Sequence, residues 1–317
     1  MIDSLDDIRH LVAAELDQEV LPGVCAASAA VRQRHGASVA AVLFYGSCLR
    51  DAQEKDRLID FYVFTDSLSA FHGRGLHASL NAMLPPNVYY IEAPFEGRKV
   101  RAKYAVMSLR QLHRKTRAQA FQSTLWARMS QPGALAYVRD HHIRAQIVEA
   151  LSCAITTTCA QTAPLFVEPF SAQELWTRAL RESYRTEFRS EGAGRAAELY
   201  NSDPGRYDHV TVLLAKSELL KKVSDSASDQ ALYHSGARAQ RPGLQRRWAR
   251  RRLMGKTNQV FRLGKATLTF TNGLDYILYK IEKHSGKTIK VTAWQRRHPL
   301  LSAPGIAWRL YRRGAFR

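Results

Sequence analysis

Four cysteines in 317 residues (Cys25, Cys48, Cys153 and Cys159) leave little room for a disulfide framework. No CxxC pair and no rhythm with the histidines marks a metal site, so a reducing compartment is the plain expectation. No run approaches the ~18 uninterrupted apolar residues of a membrane-spanning helix. The first twenty residues, MIDSLDDIRHLVAAELDQEV, are acidic, which argues against both a transit peptide and a secretion signal. No internal repeat is visible. Acids themselves are scarce in one place. From Arg241 to Arg317, 19 Lys and Arg face only Asp275 and Glu282, a net of +17 in a chain of +19 overall. The first 240 residues are nearly neutral, at +2. With 45% hydrophobic and 24% charged residues, a wholly disordered chain is excluded. A near-neutral globular body with a basic C-terminal segment remains, and that asymmetry implies a polyanionic partner: nucleic acid or an anionic membrane surface.

Periodicity predicts a helix over 4–19, then four short β-rich runs: SVAAVLFYGS (38–47), LIDFYVFTD (58–66), VYYIEA (88–93) and VRAKYAVMS (100–108). From Leu109 the pattern reads as helical through LRQLHRKTRAQAFQSTLWARM, ALAYVRDHHIRAQIVEALSCAI and SAQELWTRALRESYRTEF. Strands separated by loops and helices and followed by helices predict an α+β layer arrangement. Residues 223–243 are small, polar and dotted with glycine, and read as a linker or loop. Trp176 and Tyr184 are expected in the core, and the pair His141–His142 on a helix surface.

The sharpest local feature is FYGSCLRDAQEKDRLIDFYVFTD. A strand delivers Gly46–Ser47, and Asp60 lies inside the next strand. Gly46 lets the backbone approach a phosphate closely, and Ser47 adds a hydroxyl at a helix start. An acid on the adjacent strand can hold a divalent cation against the same phosphates. This pattern resembles the Gly-Ser…Asp signature of the polymerase β-like nucleotidyltransferases. That superfamily places a second carboxylate two residues after the first, where this chain has Tyr62; the nearest later acid is Asp66. A sugar-hydroxyl nucleophile needs help losing its proton, whereas a phosphate monoester is already ionised at neutral pH, so the departure argues against a polymerase.

Further residues follow in order: His72, LNAMLPPNVYYIE, Lys103–Tyr104–Ala105–Val106, LWARMSQPG and Ser183 to Arg189. Together they resemble the mitochondrial-type phosphatidate cytidylyltransferases, the translocator assembly and maintenance family, over about residues 38–210. The chain departs from that family's pattern at Cys48, Phe71, Ala105 and Thr186–Glu187–Phe188. The resemblance implies a polymerase β-like nucleotidyltransferase domain (1–106), a helical domain (107–229) and a basic amphipathic C-terminal extension (230–317). It implies transfer of a cytidylyl group from CTP to phosphatidate, with Mg2+, giving CDP-diacylglycerol and pyrophosphate, a cardiolipin precursor reaction. Asp60, Lys103 and Arg189 would be catalytic. Tyr45, Gly46, Ser47, His72 and Glu187 would bind the nucleotide, and Asp60 with Asp66 would ligate the metal.

Within the tail, LQRRWARRRLMGK (244–256) places arginines all round a helical wheel, and residues 270–286 carry one apolar helical face. Near the end, Trp308 and Tyr311 lie on one side of a helix and Arg309, Arg312 and Arg313 on the other, a pattern suited to headgroup depth. The body's resemblance tilts the polyanion towards lipid, with no specific nucleic acid expected. The expected location is cytoplasmic, peripheral on the inner leaflet of a bacterial inner membrane. The rival readings are an RNA-directed nucleotidyltransferase of the same fold and a non-catalytic lipid- or nucleic-acid-binding protein.

Overall fold

The computed structural model describes residues 3–187, 193–223, 231–236, 243–269 and 292. Arg189 and the tail residues Trp308, Arg309, Tyr311, Arg312 and Arg313 lie outside the described residues, as does the apolar face expected over 270–286.

The chain begins with α1 (Asp3–Leu16) and α2 (Pro22–His35), enters β1 (Ala41–Tyr45) and turns through the four-residue α3 (Ser47–Arg50) into β2 (Leu58–Thr65). Two short helices, α4 (Leu68–His72) and α5 (Leu76–Met83), lead to a hairpin of β3 (Asn87–Phe95) and β4 (Arg98–Ser108). Then come α6 (Leu109–Thr116), α7 (Ser123–Met129) and β5 (Gly133–Val138). The remainder is α8 (His141–Thr162), α9 (Ala172–Tyr184), α10 (Ala193–Asn201), α11 (Pro204–Lys216), the ribbon β6 (Leu220–Lys222) and β7 (Tyr233–Ser235), and α12 (Leu244–Thr269). The protein is therefore α+β. Helix starts follow side-chain chemistry: Ser108 with Gln111 and Ser171 with Glu174 form capping boxes for α6 and α9, and the Asp140 carboxylate accepts from Ile143 N–H to open α8.

Two expectations change here. The helical reading of ALAYV fails because Gly133–Val138 pairs antiparallel with β1 as the fifth strand, and the Asp140 cap starts the helix only at His141. The single helix expected over 109–129 is two, since residues 117–122 break between α6 and α7.

The sheet order is β3-β4-β2-β1-β5. Only β2 and β4 run parallel, with Asp60 opposite Lys103; the other neighbours are antiparallel, with Tyr45 opposite Asp60. Alternation sorts the side chains onto two faces. Val42, Phe44, Ile59, Phe61, Val63 and Tyr104 pack under α2. Leu43, Tyr62, Phe64, Ala105 and Met107 face the other way, into a core completed by α1, α7, α8, α9, α11 and α12.

The expected domain boundaries are not followed by the packing. Residue 106 lies inside β4, and the strand at 133–138 belongs to the same sheet. Of the segment from 230 onward, the described residues 231–236 and 243–269 pack into the body. Trp248 is 1% exposed, packs edge-on against Trp126 with ring centroids 5.8 Å apart, and donates from Nε1 to the Gln161 carbonyl at 2.8 Å. Buried Arg251 donates from Nε to the Phe121 carbonyl at 2.8 Å, and Arg252 pairs with Glu182 at 2.9 Å. Buried Lys265 donates to the carbonyls of Leu84 and Pro86 and to Asn87 Oδ1. Gly255 allows the close approach: a Cβ there would collide with the Thr186 carbonyl oxygen. Tyr233 of the ribbon pairs with Phe170. A second anchor joins the ends of the fold, where Arg206 of α11 makes a two-pronged ion pair with Glu15 of α1 at 2.6 and 3.1 Å.

Candidate active site

The polar end of the sheet face opposite α2 is built by strand register. β1 ends at Tyr45, and Gly46 turns the chain with φ 96°, a left-handed conformation that favours glycine. The turn faces the neighbouring carboxylate: a Cβ at Gly46 would be in ordinary contact with Asp60 Oδ2 at 3.4 Å, so the positive φ is what calls for glycine. Asp60 sits on the neighbouring strand, and Lys103 one strand further. Lys103 Nζ is 2.9 Å from Asp60 Oδ1, with side chains 33% and 25% exposed. Asp60 Oδ1 is therefore the oxygen engaged by the ammonium, while Oδ2 faces Gly46.

Tyr62 lies two residues beyond Asp60 on β2, on the same face. It is buried, its ring lies 4.9 Å from that of Tyr45, and its hydroxyl oxygen accepts from Arg128 Nη1 at 3.3 Å. Arg128 Nη2 is in turn 3.8 Å from Glu187 Oε1, beyond the end of α9. Tyr62 first, then Tyr45 and Glu187, hold Arg128 in its charged form against the cost of burial. Burial pushes the Tyr45 phenol well above its ordinary value, keeping it protonated at neutral pH. Arg262 of α12 completes this end, within electrostatic reach of Tyr62, Glu187 and Arg128. The result is a carboxylate, Asp60, paired with Lys103, beside a second cluster in which Tyr62 and Glu187 hold Arg128 and Arg262.

The expected site residues divide accordingly. Tyr45, Gly46, Asp60 and Lys103 are brought together, Ser47 opens α3 beside them, and Glu187 joins through Arg128. Asp66 and His72 are not brought there. Asp66 is six residues along β2 from Asp60, about 20 Å at the strand rise, and pairs with Arg139 at 2.7 Å. The two acids therefore cannot share one cation. His72 lies on the α2 side of the sheet. Asn81 Nδ2 donates to its Nε2 at 2.8 Å, which leaves Nδ1–H to donate to Tyr89 Oη at 2.9 Å. Burial, then His77 and His35, push its pKa down to about 4, so it is a neutral structural histidine at pH 7 and not a phosphate-binding cation. Trp176 is buried as expected, Tyr184 is partly buried, and His141 and His142 are exposed.

Magnesium tolerates a site with one or two carboxylates when substrate phosphates and water supply the rest. Asp60, a partly exposed carboxylate whose Oδ2 faces the Gly46 turn, fits that role. Among the described residues no three His, Cys, Asp or Glu converge as a dedicated metal cage. Arg128 and Arg262 were missed from the sequence because no spacing links α7 and α12 to the Gly46–Asp60 pair. The nearest signal was the strong helical pattern of LWARM. Compared with known proteins, the chain matches no family model and no curated protein.

Proposed function

We propose that this chain is a phosphatidate cytidylyltransferase on a polymerase β-like nucleotidyltransferase fold. The observation that supports the reading is the meeting of Gly46, at the end of β1, with Asp60 of β2 and Lys103 of β4. Gly46 and Ser47 would seat the triphosphate of CTP. A phosphate oxygen of phosphatidate attacks the α-phosphorus, and the bond from that phosphorus to the bridging oxygen breaks with its electron pair leaving on pyrophosphate. The nucleophile needs no general base, because a phosphate monoester, with a second pKa of about 6, is largely ionised at neutral pH. That matches a site whose second carboxylate is replaced by Tyr62. Lys103 and Arg128 would neutralise charge on the transferring group and the leaving pyrophosphate. Magnesium, seated by Asp60 and the substrate phosphates, supplies further charge neutralisation when bound.

A water-insoluble substrate calls for a surface-bound enzyme. Among the described residues no helix is long and apolar enough to cross a membrane. On α12, Leu253, Met254, Val260 and Phe261 are exposed at helical spacing beside Arg250 and Lys256, a mixture that supports docking on an anionic leaflet. The site proposed is the cytoplasmic face of a bacterial inner membrane.

The test is to incubate the protein and magnesium with each labelled nucleoside triphosphate and either phosphatidate liposomes or RNA. CTP-dependent label in lipid, lost in Asp60→Ala, is expected. Label in RNA would reassign the acceptor. No label with liposome binding intact would make this a docking protein.

A further inference from the structure

From Gly97 to Arg139 the chain carries no acid, and α12 carries none either. The fold brings the most basic parts of both stretches together. Arg247 Nη2 donates to the Gln119 carbonyl at 3.3 Å, and Arg251 donates to those of Ala120 and Phe121, so α12 is pinned to the turn that follows α6. Gln122 Oε1 ties the same two helices, accepting from Lys115 Nζ and Arg262 Nη2 at 3.1 Å each. Arg110 and Arg114 of α6, with Arg117 just beyond it, recur at helical spacing and are exposed. Arg246 and Arg250 are exposed one turn apart on α12. Among the described residues none of these five guanidinium groups makes a hydrogen bond or ion pair. Elsewhere on the surface, Arg9, Arg57, Arg139, Arg144 and Arg195 each meet a carboxylate. Glu149 of α8, within electrostatic reach of His113, is already engaged by Arg9 at 2.7 Å.

The outer row of α12 decides between polyanions. Arg246, Arg250, Leu253, Met254, Val260 and Phe261 follow one another at spacings of three, four and seven, on the side turned away from buried Trp248 and Arg251. The four apolar members are 50% to 72% exposed. A nucleic-acid backbone has nothing to cover such side chains, whereas a bilayer covers them at the depth where arginines reach lipid phosphates. We infer that α6 and α12 form one docking face for an anionic phospholipid leaflet. Arg110, Arg114, Arg117, Arg246 and Arg250 hold lipid phosphates, and the apolar row of α12 enters the acyl boundary. As the way an enzyme meets phosphatidate, the inference rests on the reading above; as a lipid-binding face it stands without catalysis.

The test is co-sedimentation of the full chain with vesicles of phosphatidylcholine alone, or of phosphatidylcholine with an equal amount of phosphatidylglycerol. Wild type should prefer the anionic vesicles. R110Q/R114Q/R117Q should weaken that binding on the order of a hundredfold, since each basic side chain near an anionic surface contributes about fivefold. R34Q/K55Q/R74Q removes the same charge from exposed cations elsewhere and should change binding less than about threefold. L253S/F261S should weaken it about tenfold or more. All these side chains are exposed, so each variant should melt as wild type does, and R246Q/R250Q repeats the charge test on α12. Equal losses from the two triple variants would reduce the effect to net charge and overturn the face. Tight binding of a labelled RNA, weakened by R110Q/R114Q/R117Q but not by L253S/F261S, with no preference for anionic vesicles, would overturn it in favour of nucleic acid. Turnover is read separately on a short-chain, water-soluble phosphatidate, which needs no docking. Turnover there, with vesicle binding unchanged in the α6 and α12 variants, keeps the enzyme and overturns the face. No turnover, with vesicle binding lost as expected, keeps the face and removes the enzyme.

Discussion

Asp60 and Lys103 stand directly opposite one another on the parallel strands β2 and β4, and their charged ends meet at 2.9 Å through Asp60 Oδ1. A partly exposed pair of this kind contributes only about 0–1 kcal/mol to stability. Asp60→Asn and Lys103→Met should therefore leave the melting temperature within a few degrees of wild type. Cytidylyl transfer should fall by about 10²–10³-fold for either, the usual consequence of removing one electrostatic contact to a transition state. A variant that melts normally and turns over at the wild-type rate would remove that residue from the mechanism.

Gly46→Ala places a side chain at φ 96° and against Asp60 Oδ2. The left-handed backbone alone costs about 1–2 kcal/mol. Urea denaturation should show that loss, and magnesium–CTP affinity should fall with it because the turn that carries Ser47 past Asp60 must relax its backbone. Wild-type stability in this variant would contradict the turn geometry.

Acid should loosen the α2 side of the sheet. His35 Nε2 lies 2.9 Å from Tyr104 Oη and its ring stacks on Phe71 at 4.0 Å, while His72 joins Tyr89 and Asn81. Burial, first among the causes, pushes both histidines down to about 4 from an ordinary 6.5. Between those values the unfolded chain binds more protons than the folded one, so stability is fully present above about 6.5 and is lost as pH falls towards 4. The melting temperature should drop between pH 7 and pH 5, above the range where most carboxylates titrate. The variant H35N/H72N should flatten that slope, and an unchanged slope would show that other groups carry it.

Trp248→Ala should cost about 3–5 kcal/mol, since the ring is fully buried between Trp126 and the Gln161 carbonyl. Denaturant titration measures this directly. A loss below 1 kcal/mol would mean that α12 is only loosely attached to the body.

Strands β1 to β4 and the Gly46–Asp60 spacing were legible because alternation and a glycine before a helix are local signals, carried by residues within one or two turns of chain. The α+β class followed from them. β5 was not legible: ALAYV suits a helix equally well on its own, and its pairing with Val42 and Tyr45 is a contact over about ninety residues. His72 and Asp66 read as partners of Asp60 because order along the chain says nothing of sheet face or distance along a strand. Register put Tyr89, and hence His72, on the α2 side, and strand rise carried Asp66 to the far end of β2. The basic run 244–256 looked like a solvated or lipid-facing helix because its arginines surround the wheel. Only packing against Trp126, Gln161 and the turn at Ala120–Phe121 decided that Trp248 and Arg251 turn inward and that α12 brings Arg262 beside Arg128. Local chemistry along the chain determined which segments could carry a phosphate-binding site; long-range packing, which buries side chains by shape and not by sequence distance, decided which charges surround it.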